Sequence, residues 1–335
     1  MPKHYTIPIF IPELACPFQC VFCNQEKISG HQNNPDESEI RQTIIKYLKS
    51  FKKEERTVEI GFFGGSFTGI PIEEQKHYLG IVQPFIDSGE INGIRLSTRP
   101  DYINKEILSV LKKYRVTTIE LGAQSMDDEV LEKSYRGHTS KQTEQASEMI
   151  LDNGFELGLQ MMIGLPGDTL EKSIFTAKKI IESGASNTRI YPALVIKGTA
   201  MHKWYDDRKY VPLSLEKAIN RTKQILPLFE EAGVKVLRVG LHPSEGLLSG
   251  HELIAGPFHQ SFKELVLTEI WYDQLKPLLH KDEGKNLIIY VPEKEKNYAI
   301  GYVAKNKKML LEKFEKVKFV VQSSLHERDF SVSIS

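Results

Sequence analysis

Strand-like and helix-like stretches alternate along most of this chain, and that alternation limits the fold more than any other feature. Short apolar runs with period-two character fall at residues 5–11, 58–63, 93–98, 117–122, 157–163, 188–194 and 234–240. Between and after them lie stretches of helical period at 37–50, 72–88, 105–114, 127–135, 140–153, 170–183 and 213–232. A parallel neighbour strand cannot be reached by a tight hairpin, so repeated units of this kind require helical crossovers and a parallel sheet. Asp127 and Thr169 stand where helix N-caps belong, and Gly154 and Gly233 where the chain leaves a helix for a strand. Six or seven units is short of the eight of a closed barrel. The expectation is an α/β fold: a partial, open (β/α)6-type, TIM-like barrel.

In such barrels function gathers at the C-terminal ends of the strands. A cysteine-bearing loop follows the first strand, Gly64-Gly65-Ser66 the second and Ser97-Thr98-Arg99 the third. Glu120 and Gln124 bracket the end of the fourth, residues 160–166 close the fifth, and 191–197 close the sixth.

With 335 residues the chain can bury a large core and carry a small appendage. The expected division is a core domain over 1–275, whose segment 242–275 caps the strand ends, and an α+β module over 276–335. That module is read as a strand at 286–291, a short helix at 294–299, a turn at 301–304, a helix at 307–314 and two strands at 316–322 and 329–333. Lys plus Arg equals Asp plus Glu over the whole chain, so net charge points to neither nucleic acid nor membrane. From Lys276 onward, however, 12 Lys/Arg face 8 Asp/Glu, a surplus of four. No stretch has the pattern of a signal peptide, and none approaches the roughly 18 apolar residues of a membrane span. A cytoplasmic location is expected, with no membrane partner.

All three cysteines fall within Cys16-Pro-Phe-Gln-Cys20-Val-Phe-Cys23, at C-x3-C-x2-C spacing. An odd number of thiols this close together makes no sensible disulfide framework. Three thiolates on one loop can each hold one iron of a cubic [4Fe–4S] cluster, and the chain has no fourth cysteine for the last iron. A structural zinc knuckle is the alternative; it wants four ligands, the fourth from a nearby histidine.

The cysteine spacing, with Phe22 before Cys23, resembles the cluster motif of the radical S-adenosylmethionine (SAM) superfamily. More closely, the chain resembles the radical SAM domain of the Elongator catalytic subunit and, beyond it, the oxygen-independent coproporphyrinogen dehydrogenases. The motifs that carry this are Phe63-Gly-Gly-Ser-Phe-Thr68, Ser97-Thr-Arg-Pro-Asp-Tyr102, Glu120-Leu-Gly-Ala-Gln-Ser125 and Arg136-Gly-His-Thr139. Gly164-Leu-Pro-Gly167, residues 191–199 and Ala255-Gly-Pro-Phe-His259 continue it in the same order. The resemblance implies that Cys16, Cys20 and Cys23 bind a [4Fe–4S] cluster whose open iron is chelated by SAM. An electron from the cluster then releases a 5′-deoxyadenosyl radical. It further implies that Phe22 shields the cluster, that Gly64, Gly65 and Ser66 seat SAM, and that Gln124 and Arg136 complete the pocket, Arg136 reaching the SAM carboxylate. Ser97 and Gln160 fall at further cofactor positions, Ser97 where relatives carry Glu and Gln160 where they carry Asp or His. A reductant protein such as flavodoxin or ferredoxin is implied as partner. Two features depart from the Elongator subunit: the first cysteine spacing is shorter, and only about 75 residues follow residue 260, too few for its acetyltransferase domain.

Arg99, Glu120, Tyr191 and Lys197 are the candidates for catalysis or substrate contact. For Arg99 and Glu120 the bland alternative is a mutual ion pair across strand ends; for Lys197 it is an ordinary surface lysine. In the last module, Gly301-Tyr-Val-Ala304 between two helices resembles the G-x-x-G turn of a KH module, with Ala304 in place of the second glycine. Lys305, Lys307 and Lys308 follow it and suit phosphates, the alternative being a solvated lysine face. The expected function is radical SAM chemistry on RNA, tRNA first. The alternatives are an oxidoreductase or transferase acting on a small metabolite or tetrapyrrole, and a non-catalytic RNA-binding or iron–sulfur protein.

Overall fold

A computed structural model describes residues 3–11, 20–24, 34–52, 55–241, 245–280 and 284–335. In chain order it contains β1 (Lys3–Ile11), α1 (Glu37–Ser50), β2 (Arg56–Gly64), α2 (Ile72–Asp87), β3 (Gly93–Thr98), α3 (Lys105–Lys113) and β4 (Val116–Gln124). Two helices follow, α4 (Asp128–Lys133) and α5 (Ser140–Asp152), then β5 (Glu156–Ile163), α6 (Leu170–Glu182) and β6 (Asn187–Pro192). After β6 come the short β7 (Val195–Ile196) and α7 (Ala200–Asp206), then α8 (Leu215–Glu231) and β8 (Lys235–Val239). β1 to β6 and then β8 pair in sequence order, all parallel, as a curled half-barrel sheet.

Period two sorts the two faces of this sheet. Ile7, Ile9 and Ile11 of β1, Val58, Ile60 and Phe62 of β2, and Leu157 and Leu159 of β5 are buried in the main apolar core. Each such side chain contributes roughly 1.5–3 kcal/mol relative to exposure. The alternate positions, among them Glu59, Arg95, Glu120, Gln160 and Arg189, meet one another across the other face. Helix starts are set by local chemistry. Asp36 with Glu39, and Thr139 with Gln142, form reciprocal capping boxes at α1 and α5. Asp127 and Thr169 accept from Val130 N and Lys172 N as N-caps.

The cap expected over 242–275 divides into two parts. α9 (Glu245–Leu248) leads to β9 (Leu253–Ala255), which pairs antiparallel with β7 just beyond the end of β6. α10 (Phe262–Leu275) is no lid. It buries Phe262, Val266, Leu267 and Ile270 in the main core, alongside Phe229 of α8, because its apolar residues continue almost all the way round. Its last turns, Trp271 and Leu275, belong instead to a second core with Leu287, Ile289, Leu310 and Phe314.

That second core is built on β10 (Asn286–Val291), α11 (Lys296–Ile300), α12 (Lys305–Leu311), β11 (Lys316–Val321) and β12 (Ser331–Ile334). β10 lies in the centre of its sheet, parallel to β11 and antiparallel to β12. The Gly301–Ala304 turn joins α11 to α12, with Val303 and Ala304 in left-handed backbone conformation.

Candidate functional site

Cys16 lies outside the described residues; Cys20 and Cys23 are described. Cys23 N donates to Cys20 O (3.0 Å), closing a turn that brings the two residues together. The loop is tied down on both sides. Val21 N donates to Ser134 O (3.2 Å), and Met201 N donates to Val21 O (2.8 Å). Val21 and Phe22 are buried in a small core with Val130, Leu165, Met201 and Tyr210. The glycine turn is held against the residue from which the cysteine loop departs: Gly65 N donates to Ile11 O (2.9 Å). At Gly64, with φ +113°, a Cβ would stand 2.6 Å from that same oxygen, so only glycine fits.

A pocket opens between these two turns. Cys20, Phe22, Cys23, Gly64, Gly65, Ser66, Ser97, Gln124, Arg136 and Gln160 all line it. Thr98 and Gly122 line it too and were not singled out from sequence. Thr98 is the next residue after Ser97 at the end of β3, and its hydroxyl meets that of Thr68 at 2.6 Å. Gly122 stands two residues before Gln124 on β4. A Cβ there would lie 2.8 Å from Arg136 Nη2, which instead donates to the Gly122 carbonyl (2.6 Å).

The pocket wall holds polar groups with nothing to bind. Gln124 sits at φ +66°, beyond a register shift in the β4–β5 ladder, and its Oε1 is buried without a partner. A non-glycine residue in that region is strained, and such strain often marks a functional position. Arg136 is 7% exposed, its Nε has no partner, and among the described residues no carboxylate pairs with its guanidinium. Its Nη1 donates to Cys20 Sγ at 3.5 Å. Close by is His138, 4% exposed, neither of whose ring nitrogens makes a well-formed hydrogen bond. Burial first, then the positive charges of Arg136 and Arg99, push its pKa down to about 2, so it is neutral. Thiols, a glycine cradle, an orphaned acceptor and an uncompensated cation together fit a thiolate-held cluster and a ligand carrying both an amine and a carboxylate.

Deeper in the half-barrel the charges are matched. Glu120, 1% exposed, receives Arg95 Nη1 (2.6 Å), Arg189 Nε (2.7 Å) and Gln160 Nε2 (3.0 Å). Arg95 also reaches Glu59 (3.2 Å), which His4 approaches at 2.8 Å. Burial works against ionisation of Glu120, but Arg189 and Arg95 outweigh it and hold the carboxyl below the usual range. Burial likewise opposes ionisation of Glu59, and His4 with Arg95 prevails. Burial pushes the Tyr191 hydroxyl up, with Arg189 beside it acting the other way. Gln160 Nε2 also donates to Ser97 Oγ (3.2 Å), linking this network to the pocket.

The ion pair considered between Arg99 and Glu120 does not form. Arg99, 1% exposed, forks onto Asp101 through two 2.9 Å bonds and lies over the Tyr102 ring. Position along the chain explains this: Glu120 points inward beside Arg95 within the sheet, whereas Arg99 lies past the end of β3 and turns back on the 3₁₀ turn it caps, Pro100–Tyr102. Lys197 is exposed beyond β7, with its backbone N–H on Glu252 O. In the C-terminal module Lys305 is paired with Glu269 and lies 5.0 Å from the Tyr272 ring centroid, Lys307 is half-buried and Lys308 is exposed.

A profile of the radical SAM superfamily matches residues 11–180, and one of the radical SAM C-terminal domain matches residues 186–272. The chain belongs to the radical SAM superfamily. It is accordingly an enzyme by family. It is 28% identical over 206 residues to a tRNA uridine(34) acetyltransferase of Methanocaldococcus jannaschii, covering 55% of this chain and 38% of the relative. It is 27% identical over 246 residues to human Elongator complex protein 3, covering 68% and 44%. The chain thus spans about two-fifths of the length of these relatives. A solved archaeal Elongator protein 3, from Methanocaldococcus infernus, shares the fold at TM-score 0.64 with 21% identity, covering 83% of this chain and 64% of that one. No helix among the described residues is long and apolar enough to cross a membrane.

Proposed function

We propose that this radical SAM enzyme holds a [4Fe–4S] cluster on Cys16, Cys20 and Cys23 and uses it with SAM to modify RNA, a tRNA base in the first instance. The observation that carries the reading is the pocket that Cys20 and Cys23 line together with the glycine turn, with Gln124 Oε1 and Arg136 Nε left without partners. Bound there, cluster and SAM supply a reductive cleavage that generates a carbon radical able to take a hydrogen atom.

The residues of this chain do the rest. Gly64, Gly65 and Ser66 offer backbone groups that a ligand can approach closely. Arg136 provides the cation for a carboxylate, Gln124 an acceptor for an amine, and Gln160, held by Glu120 and Ser97, a polar contact for the sugar. Phe22, packed in the small core, covers the cysteine loop and excludes water. On the interior side, Glu120 stays ionised and pins Arg95, Arg189 and Gln160, which gives the substrate a rigid polar wall. Tyr191, next to Arg189, is the nearest candidate for substrate contact.

The RNA assignment is supported by the named activity of the archaeal relative and by the turn between α11 and α12, whose exposed Val303 is followed by Lys307 and Lys308. The test uses anaerobically reconstituted protein, a reductant and SAM. Substrate-dependent 5′-deoxyadenosine should form, and deuterium from deuterated tRNA should appear in it. Deuterium arriving only from a metabolite pool would replace RNA with a small-molecule substrate. A well-loaded cluster that cleaves no SAM with any RNA or lysate fraction would overturn the enzymatic reading of this pocket.

A further inference from the structure

Arg136 is engaged with the cysteine loop itself. Its Nη1 donates to Cys20 Sγ (3.5 Å), its Nη2 to the Gly122 carbonyl (2.6 Å), and its Nε is buried without a partner. A buried guanidinium needs a counter-anion, since taking a charge out of water without one costs several kcal/mol. Every other strongly buried arginine of the barrel has its carboxylate: Arg95 has Glu59 and Glu120, and Arg99 has Asp101. Among the described residues, the group within reach of Arg136 that becomes an anion is the sulfur of Cys20, as a ligated thiolate. His138, which shares this neighbourhood, is neutral and competes for nothing.

Resting on the cluster reading above, we infer that Arg136 is a positioning residue for the cluster, fixing the Cys20 sulfur and raising the reduction potential of the iron. The reason is electrostatic. Reduction adds an electron to a cluster held by thiolates, and a buried cation donating to one of those sulfurs stabilises the reduced state more than the oxidised one. The N⁺–H···S⁻ bond is charge-assisted and little screened in this buried setting. Gly122 belongs to the device, because a Cβ there would stand 2.8 Å from Arg136 Nη2 and push the guanidinium off that carbonyl. Two of the three guanidinium nitrogens are thereby committed to protein atoms, and Nε remains for a ligand.

The test is an EPR-monitored redox titration of anaerobically reconstituted protein without SAM, with iron content matched between variants. Arg136→Gln should shift the one-electron equilibrium at least tenfold toward the oxidised cluster, a fall in midpoint of about 59 mV. Arg136→Lys, which keeps the charge, should recover more than half of that shift. Gly122→Ala leaves the guanidinium charged but displaces it, and should shift the same equilibrium several-fold toward the oxidised cluster, with a lower midpoint. An unchanged midpoint in Arg136→Gln overturns the inference, even where SAM affinity falls, since Arg136 would then serve SAM alone. If Arg136→Gln takes up no cluster, Gly122→Ala decides: a lowered midpoint supports the coupling and an unchanged one overturns it. Wild-type protein that takes up no cluster would instead be a failure of the proposed function, and is seen in the iron analysis before any titration.

Discussion

Two levels of the same half-barrel treat buried charge in opposite ways. In the interior, Arg95, Arg189, Glu59 and Glu120 neutralise one another across β2, β3, β4 and β6. At the strand ends, Arg136 and Gln124 keep orphaned atoms and His138 has no good partner. A satisfied network builds a rigid wall. An unsatisfied one is stable only if something from outside completes it, because native proteins leave few buried polar groups unpaired. The difference separates scaffold from binding site more sharply than burial does, since both levels are buried.

The two levels should therefore respond differently to mutation. The largest effect belongs to the strand ends: Cys20→Ala should abolish cluster-dependent SAM cleavage, with no 5′-deoxyadenosine detected by chromatography. Residual cleavage at more than a few per cent of wild type would remove Cys20 from the ligand set. Next comes the interior. Glu120→Gln leaves Arg189 without its carboxylate and Arg95 with only Glu59, which should cost about 3–5 kcal/mol in urea unfolding. By contrast, Arg136→Met in cluster-free protein removes a charge that lacks a carboxylate, and should cost less than about 1 kcal/mol. Equal losses in these two variants would erase the contrast between the levels.

His138 gives a pH signature of the upper level. It is neutral in the fold, its pKa held at about 2, but takes up a proton when unfolded below about pH 6.5. The unfolded state then binds more protons, so stability is full above that pH and falls as pH drops, by about 1.4 kcal/mol per unit for one proton. Glu59 and Glu120, held below their usual values, add their loss only at pH below about 4.5. His138→Gln should flatten the curve between pH 6.5 and 4.5 and leave the acid limb intact; an unchanged slope would assign the proton elsewhere.

The smallest effect is expected in the C-terminal module. Lys305 is already engaged by Glu269 and Tyr272 while Lys308 is free in solvent. In tRNA gel shifts Lys308→Ala should weaken binding more than Lys305→Ala, each by less than about tenfold. No change in either, or in the triple variant with Lys307→Ala, would leave the module without a role in RNA binding.

Much of this was legible in the sequence because it depends on local rules. The strand order follows from repeated crossovers, and Glu37–Ser50, Gly93–Thr98 and Asn286–Val291 begin and end where periodicity and caps place them. Most residues lining the pocket were legible as well, those at strand ends because in a parallel barrel they share one rim, and Arg136 through its motif; Thr98 and Gly122 were not. Nor were β7 and α7, because an excursion of two residues and then about two helical turns carries too little periodicity. The reach of α10 into two cores was hidden for the opposite reason. A helix apolar nearly all round has no single face to read.

By itself, then, the sequence determined which residues lie at the strand ends and that three thiols share one short loop. Both are matters of spacing and parity, which the backbone imposes on any chain. Only the tertiary structure decided who pairs with whom. Arg99 turned to Asp101 and Glu120 to Arg95 and Arg189, and Arg136 came to rest on Cys20, 116 residues away in the chain. Charge pairing is set by distance and desolvation in three dimensions, and neither is written in the order of the residues.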